Sequence, residues 1–280
     1  SSSSSSSSSS NNNGNNKDSV DISDIITIVS DKEGAHRVLE RLAYYEKNTP
    51  DGKPRYWACD TEVMDIDLKK EGPCGNGHVT CISVYGGPDV DFGDGPGAAL
   101  WIDNLGEADG LLQEFKGWLE DPDVHKVWHN YGFDRHVVNN EGIDLKGFAG
   151  DTMHMARLWD TSRDRVGGTG KGYSLDSLGQ DLIGDPRFEK MGKMKELFGI
   201  GKIKKDGTEG LVKVLPPIDE IQTNPASRQR WIQYSALDAI ATWYVSEAIK
   251  ERLETQPWVV GNKKLGTMAD FYTRYLKDFG

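Results

Sequence analysis

The stretch YWACDTEVM, residues 56–64, reads as a buried strand that ends in two carboxylates, Asp60 and Glu62. Side chains alternate between the two faces of a strand, so these two acids are predicted to point the same way. Neighbouring carboxylates repel each other, and burial raises their pKa values further, because both effects disfavour the charged form. A cation is the natural remedy, so the stretch predicts that other parts of the chain supply more metal ligands.

Composition narrows the class of protein. The chain has 280 residues, with 33 Lys and Arg against 44 Asp and Glu, for a net charge of −11. This balance argues against a protein that holds duplex DNA mainly through its phosphates. A metal-dependent nuclease is compatible with it, because bound ions then supply the local positive charge.

The cysteines and the apolar runs exclude two further classes of protein. Cys59, Cys74 and Cys81 form no CxxC pair and are odd in number, so neither a zinc knuckle nor a disulfide partner is predicted. No apolar run approaches the length of a membrane span, so no membrane partner is expected.

Three segments are predicted along the chain. Residues 1–19, a serine run followed by NNNGNNKDS, have the low complexity of a disordered segment or an added tail. Residues 20–255 read as one folded domain. Residues 256–280 read as a linker followed by the first helix of a further, truncated domain. The chain has no initiator Met and no recognisable targeting peptide, so we expect a fragment of a longer protein.

The folded domain is predicted to be an α/β structure. Short links favour an antiparallel meander, and the strands that follow alternate with helices, which describes a mixed five-stranded sheet flanked by helices. The strand candidates are DIITIVS, RYWACDTEV, HVTCISVYGG, AALWID, HKVWHN and GFAGDT. The helix candidates in this part are DKEGAHRVLERLAYYEKN, GLLQEFKGWLED and DRHVVNNEG.

The later part of the domain is predicted to be mostly helical. A helix follows the N-cap Ser174, and the longest helix covers residues 227–254. Residues 185–213 between them read as a long loop rich in Gly and Lys. GGTGKG at 167–172 lacks the Ser or Thr and the preceding strand of a phosphate-binding loop, so it is predicted to be a flexible loop.

Two later stretches supply acids in suitable settings. Asp134 lies in HNYGFDRHV, just beyond a predicted strand, and YSALDA places Tyr234 and Asp238 one turn apart on a helix face. Each stretch alone has a plainer interpretation, as a strand end, a helix cap or an exposed helix surface. Together, four carboxylates favour Mg²⁺ or Mn²⁺, and carboxylates shared by two such ions are typical of enzymes that attack phosphate esters.

The motifs DTE, NYGFD and YSALD resemble the three motifs of DEDDy 3′–5′ exonucleases, a group that includes the proofreading domains of family A DNA polymerases. Longer phrases, among them GDTMHMARLWDTSR and WIQYSALDA, resemble plant and protist organellar DNA polymerases. The likeness covers about residues 55–254. It implies an RNase H-like fold and two divalent ions, Mg²⁺ or Mn²⁺.

The resemblance also implies roles for single residues. Asp60, Glu62 and Asp238 would hold one ion, and Asp60 with Asp134 would hold the second. Tyr234 and Glu62 would orient the attacking water. Three residues are candidates for contact with the terminal nucleotide, namely Asn130, His129 and Thr61. His129 is equally compatible with a plain strand end, and Asp151 with either a site residue or a helix cap.

The activity implied is proofreading: hydrolysis of the 3′-terminal phosphodiester of single-stranded or mismatched DNA, with release of nucleoside 5′-monophosphates. The expected partners are single-stranded 3′ ends and a polymerase domain of the same full-length chain, in a plastid or a mitochondrion. A free-standing 3′–5′ exoribonuclease and a catalytically inactive nucleic-acid-binding module are the alternatives. Lysines of the late loop could follow a single strand's backbone, contact the polymerase domain or simply be solvated: Lys190, Lys193, Lys195, Lys202, Lys204 and Lys205.

Overall fold

The computed structural model describes residues 25–49, 52–164, 168–185, 188, 194–203 and 209–279. The strands are β1 Ile26–Val29, β2 Tyr56–Met64, β3 His78–Tyr85, β4 Ala99–Asp103, β5 His125–Trp128, β6 Phe148–Asp151, β7 Ile200–Ile203, β8 Glu209–Val214, β9 Pro257–Val260 and β10 Lys263–Thr267. The α-helices are α1 Lys32–Lys47, α2 Lys116–Leu119, α3 Tyr131–Asn140, α4 Thr152–Trp159, α5 Leu175–Leu182, α6 Met194–Phe198, α7 Ile218–Thr223, α8 Pro225–Thr255 and α9 Met268–Phe279. The serine-rich start and Lys190, Lys193, Lys204 and Lys205 lie outside the described residues.

The main sheet confirms the predicted mixed class. Its strand order is β1-β4-β3-β2-β5-β6, with antiparallel β2–β3 and β3–β4 pairs and parallel β2–β5 and β5–β6 pairs. It has six strands rather than the predicted five, because β1 adds to the edge and pairs parallel with β4. Strand β2, which carries Asp60 and Glu62, therefore lies inside the sheet between β3 and β5.

Helices cover both faces of this sheet. On one face, α1, α2 and α3 pack against alternate residues of the strands, such as Trp57, Cys59 and Val84. On the other face, α8 packs against the residues in between, such as Tyr85 and Ala99. This alternation is what a sheet buried on both sides requires. The two acids of β2 belong to the same set of alternate residues as Ala58, which places them on the α8 face.

Small residues let α8 lie close to the sheet. Ala236 and Ala239 are buried against the sheet face formed by β3 and β4. Alanine adds no rotamer entropy and little bulk, so the helix axis can approach the strands. The short side chain of Asp238, on the same stretch of helix, can then reach the strand acids.

A buried polar network fixes the start of α8 to the sheet. The Gln222 side-chain amide donates to the Thr80 carbonyl (2.8 Å) and to the Asp103 carboxylate (2.7 Å), and Arg228 donates to the other Asp103 oxygen (2.6 Å). The Trp231 indole donates to Gln222 at 3.0 Å. Without these bonds, polar groups in the interior would have no hydrogen-bond partner. The network therefore determines where α8 lies along the strands.

Two sequence predictions differ from the structure. Residues 110–121, predicted as one helix, form a 3₁₀ turn, Leu111–Phe115, followed by the single-turn helix α2. The described parts of 185–213, predicted as a loop, contain α6 and an antiparallel β7–β8 hairpin. This hairpin exposes apolar side chains, notably Leu211 and Val212. The hairpin therefore could not be predicted from an alternation of buried and exposed residues.

Residues 257–267, expected within a linker, form the antiparallel β9–β10 hairpin, and α9 then packs on α8 and α4. A helix is present in this part of the chain, as predicted, and is α9. Among the described residues, no helix combines the length and the apolar character that crossing a bilayer requires. Cys59, Cys74 and Cys81 are free thiols, and Cys74 is the exposed one.

Candidate metal centre

Three carboxylates meet where β2 faces α8. Asp60, Glu62 and Asp238 each offer an oxygen, and these oxygens lie within 4.8 Å of one another. The first two share a face of β2, as their spacing predicts, and the third comes from α8. The register of β2 against β3 shifts directly after Glu62, a bulge of the kind that often adjoins functional sites.

Asp134 approaches from the other side of the sheet. It lies in the first turn of α3 and is 4% exposed. The Thr61 hydroxyl, which points to the α3 face, donates to the Asp134 carboxylate at 2.7 Å. Among the described residues, the group whose oxygens lie within 4.8 Å of one another does not include Asp134. Thr61 therefore holds Asp134 beside that group. Thr61 thus serves Asp134 in this structure; its predicted contact with the nucleotide stays a prediction.

The four acids disfavour one another's charge. Burial raises the pKa of Asp60 and Glu62 well above their ordinary values, with further increases from nearby carboxylates, Asp134 among them. Burial, and then Glu62, raises the pKa of Asp238 in the same direction. Burial raises the pKa of Asp134 to about 7, although the hydrogen bond from Thr61 opposes the shift. Among the described residues, no Lys or Arg forms an ion pair with any of the four.

This uncompensated negative charge fits a cation. All donors are carboxylate oxygens, the type that Mg²⁺ and Mn²⁺ prefer, and no thiolate or imidazole nitrogen of the described chain joins the group. A divalent ion would reverse the penalty that burial places on the charged acids. The donor set therefore fits the divalent ions that the sequence predicts.

Tyr234 lies one turn before Asp238 on α8. Its ring stacks on Trp231, with ring centres 5.9 Å apart, and meets Phe198 edge-on at 5.8 Å. Burial and the charge of Asp238 raise the pKa of Tyr234 far above its ordinary value, so its hydroxyl is neutral. The aromatic packing fixes the ring, and the hydroxyl is free to donate to or accept from a bound molecule.

The segment before α3 has an unusual backbone. Asn130 adopts a left-handed conformation, with φ 68° and ψ 47°, which few residues other than glycine adopt without cost. The buried Asp151 carboxylate holds this turn by accepting from the backbone N–H groups of Asn130 (3.1 Å) and Tyr131 (3.0 Å). It also caps α4 by accepting from the Met153 N–H at 2.9 Å. Asp151 is therefore a helix cap, one of its two predicted interpretations, and it also anchors the neighbouring segment.

His129 directly follows β5 and is half-buried. Its Nδ1 is hydrogen-bonded to the Thr152 hydroxyl at 2.8 Å. Burial lowers the pKa of His129 to about 4, so the imidazole is neutral at physiological pH. The structure thus gives His129 a structural partner, while the side chain of Asn130 is exposed beside it.

One acid near the site was missed by the sequence reasoning. Asp176, in the first turn of α5, raises the pKa values of Asp238 and Tyr234 through its charge. Burial raises the pKa of Asp176 itself. Its only sequence signal is its place in SLDSL two residues after the cap Ser174, a setting typical of any helix N-terminus.

A family model described as 3′–5′ exonuclease, from family A DNA polymerases, matches residues 26–254. The chain belongs to this 3′–5′ exonuclease family, and the match includes all three segments that carry the acids. The class of protein is therefore a nuclease of the hydrolase type, as the resemblance implies.

The chain is also similar to named plant organellar DNA polymerases. The chain is 47% identical over 234 residues to DNA polymerase I B, chloroplastic/mitochondrial, of Arabidopsis thaliana, which covers 80% of this chain and 22% of that protein. It is 40% identical over 269 residues to DNA polymerase I A, chloroplastic, of Oryza sativa subsp. japonica, with 92% and 25% covered. The chain thus spans about a quarter of the length of these relatives.

A solved structure supports the fold. Trypanosoma brucei RNase D in complex with GMP aligns with a TM-score of 0.55 and 14% identity, covering 90% of this chain and 63% of that one. At this identity the likeness confirms the RNase H-like arrangement of sheet and helices.

Proposed function

We propose that this chain is the proofreading 3′–5′ exonuclease domain of an organellar family A DNA polymerase. It removes the terminal nucleotide from single-stranded or mismatched DNA 3′ ends and releases nucleoside 5′-monophosphates. The observation that carries the proposal is the partly buried cluster of Asp60, Glu62 and Asp238, with Asp134 alongside, in a chain of the 3′–5′ exonuclease family.

The four acids divide into two groups of ligands. Asp60, Glu62 and Asp238 would hold one divalent ion, and Asp60 with Asp134 would hold a second. When bound, such ions lower the pKa of water and neutralise charge on the phosphate and the departing 3′ oxygen. The Tyr234 hydroxyl and the Glu62 carboxylate orient the attacking water, and the exposed Asn130 side chain contacts the terminal nucleotide.

The position of the acids explains the need for an unpaired end. Asp60, Glu62 and Asp238 lie between the sheet and α8, Asp134 approaches from α3, and each of the four is at least partly buried. A paired end is too wide for such a place, so the last nucleotides must leave the stack before the scissile phosphate reaches the acids. A mismatched end frays more readily, and this difference alone favours removal of errors.

The relatives' names support an organellar setting and attachment to a polymerase domain, because they are chloroplastic and mitochondrial DNA polymerases. We therefore extend the proposal to a plastid or mitochondrial location and to a polymerase domain as partner.

The test follows 5′-labelled DNA with Mg²⁺ or with a chelator. We expect a ladder that shortens from the 3′ end, faster for single strands and 3′ mismatches than for matched duplexes. Asp60→Ala should abolish the ladder, whereas Asp67→Ala, which removes an exposed acid after β2, should leave it intact. Cleavage of circular single strands would contradict the proposal. Faster degradation of a single-stranded RNA than of the DNA of the same sequence would favour an exoribonuclease.

A further inference from the structure

A cleft of about 490 Å³ opens beside the segment that carries His129 and Asn130. Its other walls come from α4, the residues after it and the approach to α5, and they include Arg157, Asp164 and Tyr173. These three residues are not among the four acids of the metal centre, and the proposed mechanism gives them no role.

The sheet register places this cleft next to the metal centre. Strands β2 and β5 are parallel neighbours, and Ala58 pairs with Val127. Beyond this pair, β2 continues to Asp60 and the segment after β5 continues to His129, so both residues lie at the same edge of the sheet. A nucleic acid strand whose 3′ end reaches Asp60 can therefore continue into the cleft.

Arg157 is positioned by its neighbours and yet has unused donors. Its guanidinium carbon lies 5.4 Å from the centre of the Tyr173 ring, and the Tyr173 hydroxyl donates to the Asp160 carbonyl at 3.1 Å. Arg157 is exposed and forms no ion pair or hydrogen bond with another described residue. Nearby Arg163 is the opposite case, because it is buried and paired with Asp181.

We propose that Arg157, held against Tyr173, binds a backbone phosphate of the single strand upstream of the scissile bond. This inference rests on the proposed function. The chain carries a net charge of −11, so the part of a strand that lies beyond the metal centre needs a cation close by. A guanidinium can donate two parallel hydrogen bonds to one phosphate. This bidentate contact fixes the position of the phosphate in addition to attracting its charge. Asp164 adds a negative charge to the same cleft, so its removal acts in the opposite direction.

The test measures kcat and KM for a short single strand of about eight nucleotides, a length suited to binding along a groove. Arg157→Ala should raise KM about 10-fold, the usual worth of a charge-assisted hydrogen bond, with kcat nearly unchanged. Arg157→Lys should recover part of the loss, and Asp164→Asn should lower KM. Arg37→Ala, which removes an exposed charge from α1, is the matched control and should have no effect.

A second measurement does not depend on the variants. Neutral methylphosphonate linkages are placed one at a time along the strand upstream of the scissile bond. One position should raise the KM of the wild-type protein as Arg157→Ala does, and at that position Arg157→Ala should add no further loss. Equal KM values for wild type and Arg157→Ala, or the same added loss at every position, would overturn the inference while leaving the nuclease proposal standing. A wild-type protein without nuclease activity would instead overturn the proposed function.

Discussion

Asp238 and Tyr234 lie one turn apart on α8, but Asp238 lies among carboxylates and the Tyr234 ring lies among aromatic side chains. Asp238 shares the 4.8 Å cluster with the strand acids, whereas the Tyr234 ring is held by Trp231 and Phe198. Removing a ligand disturbs ion placement, but removing one hydroxyl leaves the ligands and the ring packing in place. We expect Asp238→Ala to nearly abolish cleavage and Tyr234→Phe to lower it about 10- to 10³-fold, the usual range for one positioned polar group.

Single-turnover cleavage at saturating Mg²⁺ measures this difference, with circular dichroism to confirm folding. Tyr234→Phe activity equal to wild type would remove Tyr234 from the mechanism. Strong activity in Asp238→Ala would refute its assignment as a ligand.

Asp134 makes stability depend on pH in the absence of metal. Burial raises its pKa to about 7, against about 3.9 in an unfolded chain. Between these values the folded protein keeps a proton that the unfolded chain has lost, so the free energy of unfolding falls as pH rises through this window. Asp134→Asn removes this titration and should weaken the fall.

Urea denaturation in a chelator, from about pH 5 to about pH 7.5, measures the effect. His129 acts in the opposite direction, because its lowered pKa makes the folded protein gain stability as pH rises from about 4 to the unfolded value near 6.5. It is present in both proteins, so it cancels in their difference. An identical pH slope for the two proteins would contradict the shift assigned to Asp134.

Among the elements, α3 and α4 depend on one carboxylate. Asp151 accepts from the N–H groups of Asn130 and Tyr131 before α3 and caps α4. Asp151→Ala should therefore lower both stability and nuclease activity, since it frees the turn that presents Asn130. Asp31→Ala removes the N-cap of α1, whose carboxylate accepts from Gly34 at 2.7 Å, at a distance from the acids.

Each change should cost about 1–2 kcal/mol or more of unfolding free energy. Activity, measured at a temperature where both variants are folded, should fall in Asp151→Ala only. Equal activities would show that Asp151 is a helix cap and nothing more.

Local pattern predicted the elements that carry two of the three acidic segments. The alternation in residues 56–64 places Asp60 and Glu62 on one face, and helical spacing stacks Tyr234 on Asp238. The start of α3 at Tyr131 was not predictable, because the left-handed turn at Asn130 is held by Asp151, some twenty residues later. The contact between Thr61 on β2 and Asp134 on α3 likewise joins residues that are 73 positions apart in the sequence. Such features depend on tertiary contacts between distant residues, and a short stretch of sequence contains no information about these contacts.

The whole fold has to hold the acids together against their own repulsion. Divalent ions that bind the folded cluster and not the unfolded chain should raise the melting temperature. We expect Mn²⁺ or Mg²⁺ to stabilise the protein and Asp60→Ala to weaken the response, since Asp60 would contact both ions. Thermal unfolding with and without Mn²⁺ measures this. A melting temperature that ignores Mn²⁺, in a protein that responds normally to denaturant, would contradict the shared site.

The placement of Asp60 near the start of the fold and Asp238 on α8 has a consequence for synthesis. On the ribosome, β2 emerges long before α8, and the strand acids then have no helical partner. The nascent chain can assemble the proposed centre only after α8 has left the exit tunnel and packed on the sheet, because domains fold as units. The proposed nuclease activity therefore begins only when the domain is nearly complete, and translation products that stop before α8 would carry the first motif without the ability to cut.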